Sequence, residues 1–183
     1  MKYAVTTAPT VQPVTLADVK VHLRTVVGDT SEDAAILTPL IAAAREYCEN
    51  VTGRALAAQT VKAYPDSWGT LRLPRPPINT ITSIKYYDVD DTVYTLAATE
   101  YAVDLIDGVI TILEEPAEEL RSVNPIVIEY TAGYTTGNAL PGVMRAAMLL
   151  FVADLYVNKG DEPTEKVAST IDRLLKQYKV WWF

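Results

Sequence analysis

The chain has 183 residues, nearly half of them hydrophobic and 21% charged, with a formal net charge of −7. That length and apolar content suit one ordinary domain, or a core domain with one substantial insertion, and exclude a disordered chain. The acidic balance argues against a protein that grips DNA, because affinity for the backbone comes mainly from Lys and Arg neutralising phosphates.

The first helical pattern is "VTLADVKVHLR", with Thr15 as N-cap, Asp18 in the capping-box position and Leu16, Val19 and Leu23 at helical spacing. After the polar break "VVGDTS" comes "EDAAILTPLIAAAREYCENVTG". Thr30 or Ser31 can cap this second helix, and Glu32 and Asp33 suit its positive end. Ile36, Leu37, Leu40, Ile41, Ala44, Tyr47, Cys48 and Val51 form its apolar face, and Gly53 is its natural stop. Pro39 lies inside the pattern and predicts a kink or a short break.

From residue 54 the period changes to two. "QTVKAYP", "GTLRLPRPPI", "ITSIKYYDVDDTVYTL", "EYAVDLIDGVITIL" and "PIVIEYTAGY" are short β-type runs separated by Pro, Asp and Gly. Asp107-Gly108 is a two-residue hairpin signal, and "DVDD" turns another hairpin. No helix separates these strands, so the section is antiparallel. Helical period returns with "PGVMRAAMLLFVADLYVNKG", which starts at Pro141 and stops at Gly160, and then with "TEKVASTIDRLLKQYKVWWF", capped by Thr164. Val167, Ile171, Leu174, Tyr178 and Trp181 lie on one stripe of that last helix. The expected class is α+β: a helical core of two N-terminal and two C-terminal helices, with an antiparallel β insertion over 54–135 inside one domain spanning 1–183.

Candidate chemistry is sparse. Gly133 and Gly137 sit at a strand-to-helix turn but are one residue too close for a P-loop, and Asn138-Ala139 stand where Lys-Ser/Thr belongs. They read as turn residues, and no nucleotide is expected. Asp88, Asp90 and Asp91 resemble part of a calcium loop, yet Val93 occupies the position of its glycine. Glu114, Glu115, Glu118 and Glu119 read as a solvated surface, with nothing to select a catalytic pair. With one cysteine, Cys48, and one histidine, His22, neither an internal disulfide nor the usual zinc sites can be assembled. Cys48 reads as a small buried hydrophobe. We expect no enzyme, no cofactor and no metal. The N-terminal stretch has no signal-peptide core, and the apolar run at 146–153 is too short to cross a bilayer. A soluble protein made in a cytoplasm is expected.

Two features point to partners. The third helix is apolar nearly all round, so Met148, Leu149, Phe151 and Val152 are not expected to face one core together, and a neighbouring subunit is expected on one face. The consecutive Trp181, Trp182 and Phe183 diverge on a helix and, with Tyr178, are read either as a docking surface or as a terminus folded onto its own domain.

Taken in order, "VTLADVKVHLR", "EDAAILTPLIAAAREYCENVTGRAL", "LPRPPINTITSIKYYD", "IVIEYTAGYTTGNALPGVMRAAMLLFVADLY" and "IDRLLKQYKVWWF" resemble the head-to-tail connector (adaptor) proteins of long-tailed double-stranded-DNA bacteriophages and related gene transfer agents. These are packing and turn patterns, and their order and spacing carry the likeness. The resemblance implies a homo-oligomeric ring, usually twelvefold, below the portal protein at the virion's neck. Such a ring extends the DNA channel without sequence-specific binding and offers downstream neck and tail proteins a place to attach. It implies no catalytic residues and no membrane contact. The alternatives are a tail-completion factor and a hydrolase using surface carboxylates.

Overall fold

The structure is a computed structural model that describes residues 1–24, 31–105, 107–135, 140–158 and 163–180, with side chains at 31–33 not described. The chain divides into two compact units. One combines Met1–Pro9 with Ala58–Gly133, and the other combines Thr10–Ala57 with the chain from Tyr134 onward.

The second unit is helical: α1 Leu16–Leu23, α2 Ser31–Thr52, α3 Gly142–Val157 and α4 Glu165–Leu175. Local chemistry starts α1 as expected. The Thr15 hydroxyl accepts from Asp18 N–H at 3.2 Å, and the Asp18 carboxylate accepts from Thr15 N–H at 2.8 Å. The helix α2 runs through Pro39 without the break that was one expectation. Pro39 and Ala35, whose carbonyl loses its helical donor, are both exposed, so water can reach the orphaned acceptor. Gly53 ends α2 in the left-handed region at φ 71°, with its N–H donating to Glu49 O at 2.9 Å. The core gathers Val14, Val19, Leu37, Ile41, Ala44, Cys48, Ile171 and Leu175 around α3. Ile36, placed on the apolar face from sequence, is instead 54% exposed. The expected caps at Thr30, Ser31, Glu32 and Asp33 and the stop at Gly160 fall on residues or side chains outside the described ones.

The final helix is shorter than its periodicity suggests. It ends at Leu175, a 3₁₀ turn follows over Lys176–Tyr178, and Lys179 is extended. Two bonds draw the chain out of the helix: Arg54 Nε donates to Tyr178 O at 2.6 Å, and Val180 N–H donates to Thr52 O at 2.8 Å. The continuous α-helix expected to run on to the terminal aromatics therefore stops at Leu175.

The other unit is built of antiparallel strands. A five-stranded sheet has the order β1-β2-β8-β4-β5, from β1 Lys2–Thr7, β2 Gln59–Tyr64, β4 Ile78–Tyr87, β5 Val93–Thr95 and β8 Ile126–Ala132. A three-stranded sheet has the order β3-β7-β6, from β3 Thr70–Arg72, β6 Tyr101–Asp104 and β7 Val109–Ile112. Strand β1 is absent from the sequence reading; it pairs from Lys2↔Tyr64 onward and is exposed along its whole length. Strand alternation buries Val61, Ala63, Ile84, Ile128, Tyr130 and Ala132, and the Tyr130 hydroxyl donates to Pro74 O at 2.7 Å.

Asp107-Gly108 does turn the β6–β7 hairpin, but the strands separate at Asp104↔Val109, so the connection is longer than two residues. Gly108 takes φ 67° and its carbonyl accepts from Leu73 N–H at 2.8 Å. A Cβ there would stand 3.2 Å from Ile78 Cγ1, so a side chain would press on β4 as well as strain the turn.

Candidate interaction surface

α3 carries the surface feature with the clearest physical signature. Met144, Ala147, Met148, Phe151, Val152 and Leu155 point into the helical unit and are buried, and the Phe151 ring stacks on Tyr47 at 4.5 Å. Of the four residues not expected to share one core, Met148, Phe151 and Val152 do so, covered by the chain's own α1, α2 and α4. Leu149 is half-buried at the margin of that core. Tyr178 is half-buried in the 3₁₀ turn, and Trp181, Trp182 and Phe183 lie outside the described residues.

The opposite side of α3 is left open. Gly142 and Ala146 are exposed, Leu149, Leu150 and Ala153 are half-buried, and Val157 is 74% exposed. At about 100° per residue these positions form one stripe, centred across the helix from the buried face. The helix's two charges flank the stripe and are used within the unit. Arg145 NH2 pairs with Asp18 Oδ1 at 2.6 Å, and Asp154 accepts from Thr164 N–H at 2.7 Å and from its hydroxyl at 3.1 Å. The Thr164 hydroxyl thus serves Asp154 rather than capping α4. What remains outward is apolar and mostly small. A period of three to four small residues within "GVMRAAMLLFVADLYV" could have revealed this stripe, but the uniform hydrophobicity of the segment hides it.

Several of the other candidate groups have local work. Asp88 Oδ1 accepts from the N–H groups of Asp90 and Thr92 at 2.9 and 2.8 Å, and these hydrogen bonds hold its carboxyl below the usual range despite an opposing desolvation cost that is the largest single influence. Asp91 pairs with Arg121 at 3.0 Å, and Arg121 stacks on the Tyr87 ring at 3.8 Å. Glu118 accepts from the Tyr86 hydroxyl at 3.2 Å; burial first, then this bond, push that phenol up to about 12. Cys48 is fully buried, and desolvation followed by the charge of Glu49 pushes its thiol up to about 12, which suits a packing role. Gly133 adopts φ 102°, donating to Pro77 O and accepting from Asn79 Nδ2, both at 2.8 Å, as a turn residue does; Gly137 lies outside the described residues. His22 is exposed on α1. Among the described residues, no three His, Cys, Asp or Glu side chains gather as a metal site, and no helix is long and apolar enough to cross a membrane.

A buried polar cluster also escaped the sequence reading. Arg45 and Glu49, one turn apart on the inner side of α2, are 6% and 4% exposed and pair at 3.0 Å. Arg45 also donates to Gln12 Oε1 and Glu46 Oε1, both at 3.1 Å, and Glu49 Oε1 accepts from Leu56 N–H at 2.9 Å. Their position beside Ala44 and Cys48 was the signal.

Fold and surface define an α+β protein with an outward apolar stripe along α3. A sequence model of the head completion protein family matches residues 14–169. The chain belongs to that family. Its fold is similar to a chain in the neck of an empty gene transfer agent (GTA) particle computed with C6 symmetry, at TM-score 0.81 and 24% identity, over all of this chain and 97% of that one. It is also similar to a chain in the virion of a native GTA particle, at TM-score 0.79 and 23% identity. A third likeness is to a chain in the neck of a native GTA particle computed with C12 symmetry, at TM-score 0.78 and 22% identity. The coverage is the same for these two, all of this chain and 97% of each. No curated protein matches the sequence significantly.

Proposed function

We propose that this chain is a structural head-to-tail adaptor subunit of a tailed particle, made in the bacterial host and placed in the virion's neck. Copies close into a ring below the portal protein, prolong the DNA channel and give neck and tail proteins their attachment surface. The observation that carries this is the open stripe of α3 in a member of the head completion family. An apolar helix face with its flanking charges already paired is suited to a second protein surface. The C12 symmetry of one similar neck structure supports a twelvefold ring. The acidic net charge suits a conduit through which DNA must slide without sticking. The role is structural and not catalytic. Besides the stripe, which includes Leu149, the partner-facing residues are Tyr178 and the terminal Trp181, Trp182 and Phe183. Met148, Phe151 and Val152 hold the fold.

Ala146→Glu tests this directly. Ala146 is exposed, so the variant should keep its helical circular dichroism and melting temperature while failing to enter rings or to complete particles. Met148→Glu, at a fully buried position, should instead unfold the helical unit. Normal incorporation of Ala146→Glu into particle necks would remove the stripe from the assembly surface. Wild-type protein absent from purified necks would end the adaptor reading altogether.

A further inference from the structure

We infer that a basic ridge at the end of α4, built by Arg173 and Lys176, docks the acidic segment around Glu114, Glu115 and Glu119 of the neighbouring copy in the ring. The inference rests on the adaptor reading above and adds the pair of surfaces through which copies recognise each other.

A closed ring of more than two identical subunits needs two different, complementary patches, because each copy meets one neighbour with one surface and the next with another. A ring of copies each carrying −7 also repels itself unless opposite charges meet at the contact. The sequence segregates its charge accordingly. Residues 88–119 hold ten Asp and Glu and not one Lys or Arg, whereas residues 173–179 hold Arg173, Lys176 and Lys179 and no acid.

The basic side is open for contact. Arg173 and Lys176 are exposed and make no side-chain hydrogen bond or ion pair among the described residues. They form a ridge shared by two shallow clefts, one reaching Val51 on α2 and the other reaching Val143 on α3. Cations near a helix C-terminus are favoured by its dipole, which accounts for their presence but leaves their charge outward and unpaired.

On the acidic side, five of the ten carboxylates have local partners. Asp88 holds its turn, Asp91 pairs with Arg121, Glu100 accepts from Ala97 N–H, Asp104 accepts from Asp107 N–H, and Glu118 accepts from Tyr86. Glu114, Glu115 and Glu119 are exposed and have no side-chain partner among the described residues. The segment bearing them is tied at both ends, by Leu113 N–H to Glu100 O at 2.8 Å and by Val89 N–H to Glu119 O at 3.1 Å. It is a fixed loop that presents carboxylates, so little ordering is lost on docking.

Charge reversal with compensation tests the pairing. Arg173→Glu/Lys176→Glu should lower ring formation and neck occupancy at least about tenfold, as should Glu115→Lys/Glu119→Lys. The chain carrying all four substitutions should recover most of the loss, because every contact again joins opposite charges. Wild-type assembly should weaken as salt rises. If wild-type rings form and all the variants match them, the inference fails while the adaptor reading stands. A second arm measures binding to a short DNA duplex. If reversal at Arg173 and Lys176 abolishes DNA binding and the four-fold variant stays defective in assembly, the ridge serves nucleic acid and the inference is overturned. Wild-type protein that enters neither rings nor necks overturns both.

Discussion

Arg45→Met removes the guanidinium that faces Glu49 inside the helical unit. Both side chains are nearly fully buried, and the pair distance is 3.0 Å. Replacing the cation leaves a carboxylate in the interior without its counter-charge, which costs about 3–5 kcal/mol in comparable buried pairs. The neighbouring Glu46 adds little, since its side chain is 66% exposed and exposed ion pairs are worth at most about 1 kcal/mol. For a chain of this size, each kcal/mol shifts the midpoint by roughly 2–4 °C, so the melt should fall by roughly 6–20 °C. Circular dichroism at a helical wavelength, with urea titration for the free energy, measures it. In Arg45→Met/Glu49→Met the stranded charge is gone, and the main remaining loss is the acceptor for the buried Leu56 N–H, worth about 1–3 kcal/mol. The double variant should therefore be less destabilised than the sum of the singles. A cost below about 1 kcal/mol for Arg45→Met, or strict additivity of the two changes, would falsify the view that this pair is a coupled buried network.

Asp18 is held below its ordinary 3.8 mainly by hydrogen bonds from Thr15, with Arg145 adding to them. A depressed carboxyl contributes stability that is present above the unfolded value and lost as pH falls through the folded one. Asp18→Asn should thus be less stable than wild type at neutral pH, and the difference should shrink below pH 3.8; a difference that grows in acid refutes this. Deleting residues 181–183 leaves the Val180-to-Thr52 bond in place, so the melting temperature should stay within a degree or two, roughly 0.5 kcal/mol, while attachment to portal-bearing heads weakens. A truncated chain that melts much earlier yet attaches normally would assign the terminal aromatics to the core.

How much of this was legible in the sequence depended on the range of each interaction. The Thr15–Asp18 box, the Gly53 stop and the Asp107-Gly108 turn are local motifs; the structure keeps the first two and keeps the third within a longer connection. Strand β1 was missed because "KYAVTT" gains its identity from a partner far away in sequence, through pairs such as Val5↔Val61. The end of α4 was misread for the same reason: its periodicity continues past Leu175, but long-range bonds from Arg54 and Val180 end it. Hydrophobicity showed that α3 must be covered on most sides without showing by what. Arg45 and Glu49 went unread because pattern alone does not show two opposite charges closing on each other inside a core.

The open stripe invites a simpler account, in which Ala146 and Ala153 are there only as good helix formers. Val157 argues against that. It is 74% exposed, β-branched, and therefore a poorer choice for the last turn of a helix than Lys or Arg. A cation there would also interact favourably with the C-terminal end of the dipole, by about 0.3–1 kcal/mol. Folding of the single chain thus disfavours the residue that is present, as expected where a surface is retained for a partner. Val157→Lys should leave the isolated chain as stable as wild type, or slightly more so, and reduce its incorporation into rings. Greater stability with undiminished assembly would show that the stripe's C-terminal end meets nothing, and would confine the contact to Gly142, Ala146 and Ala153.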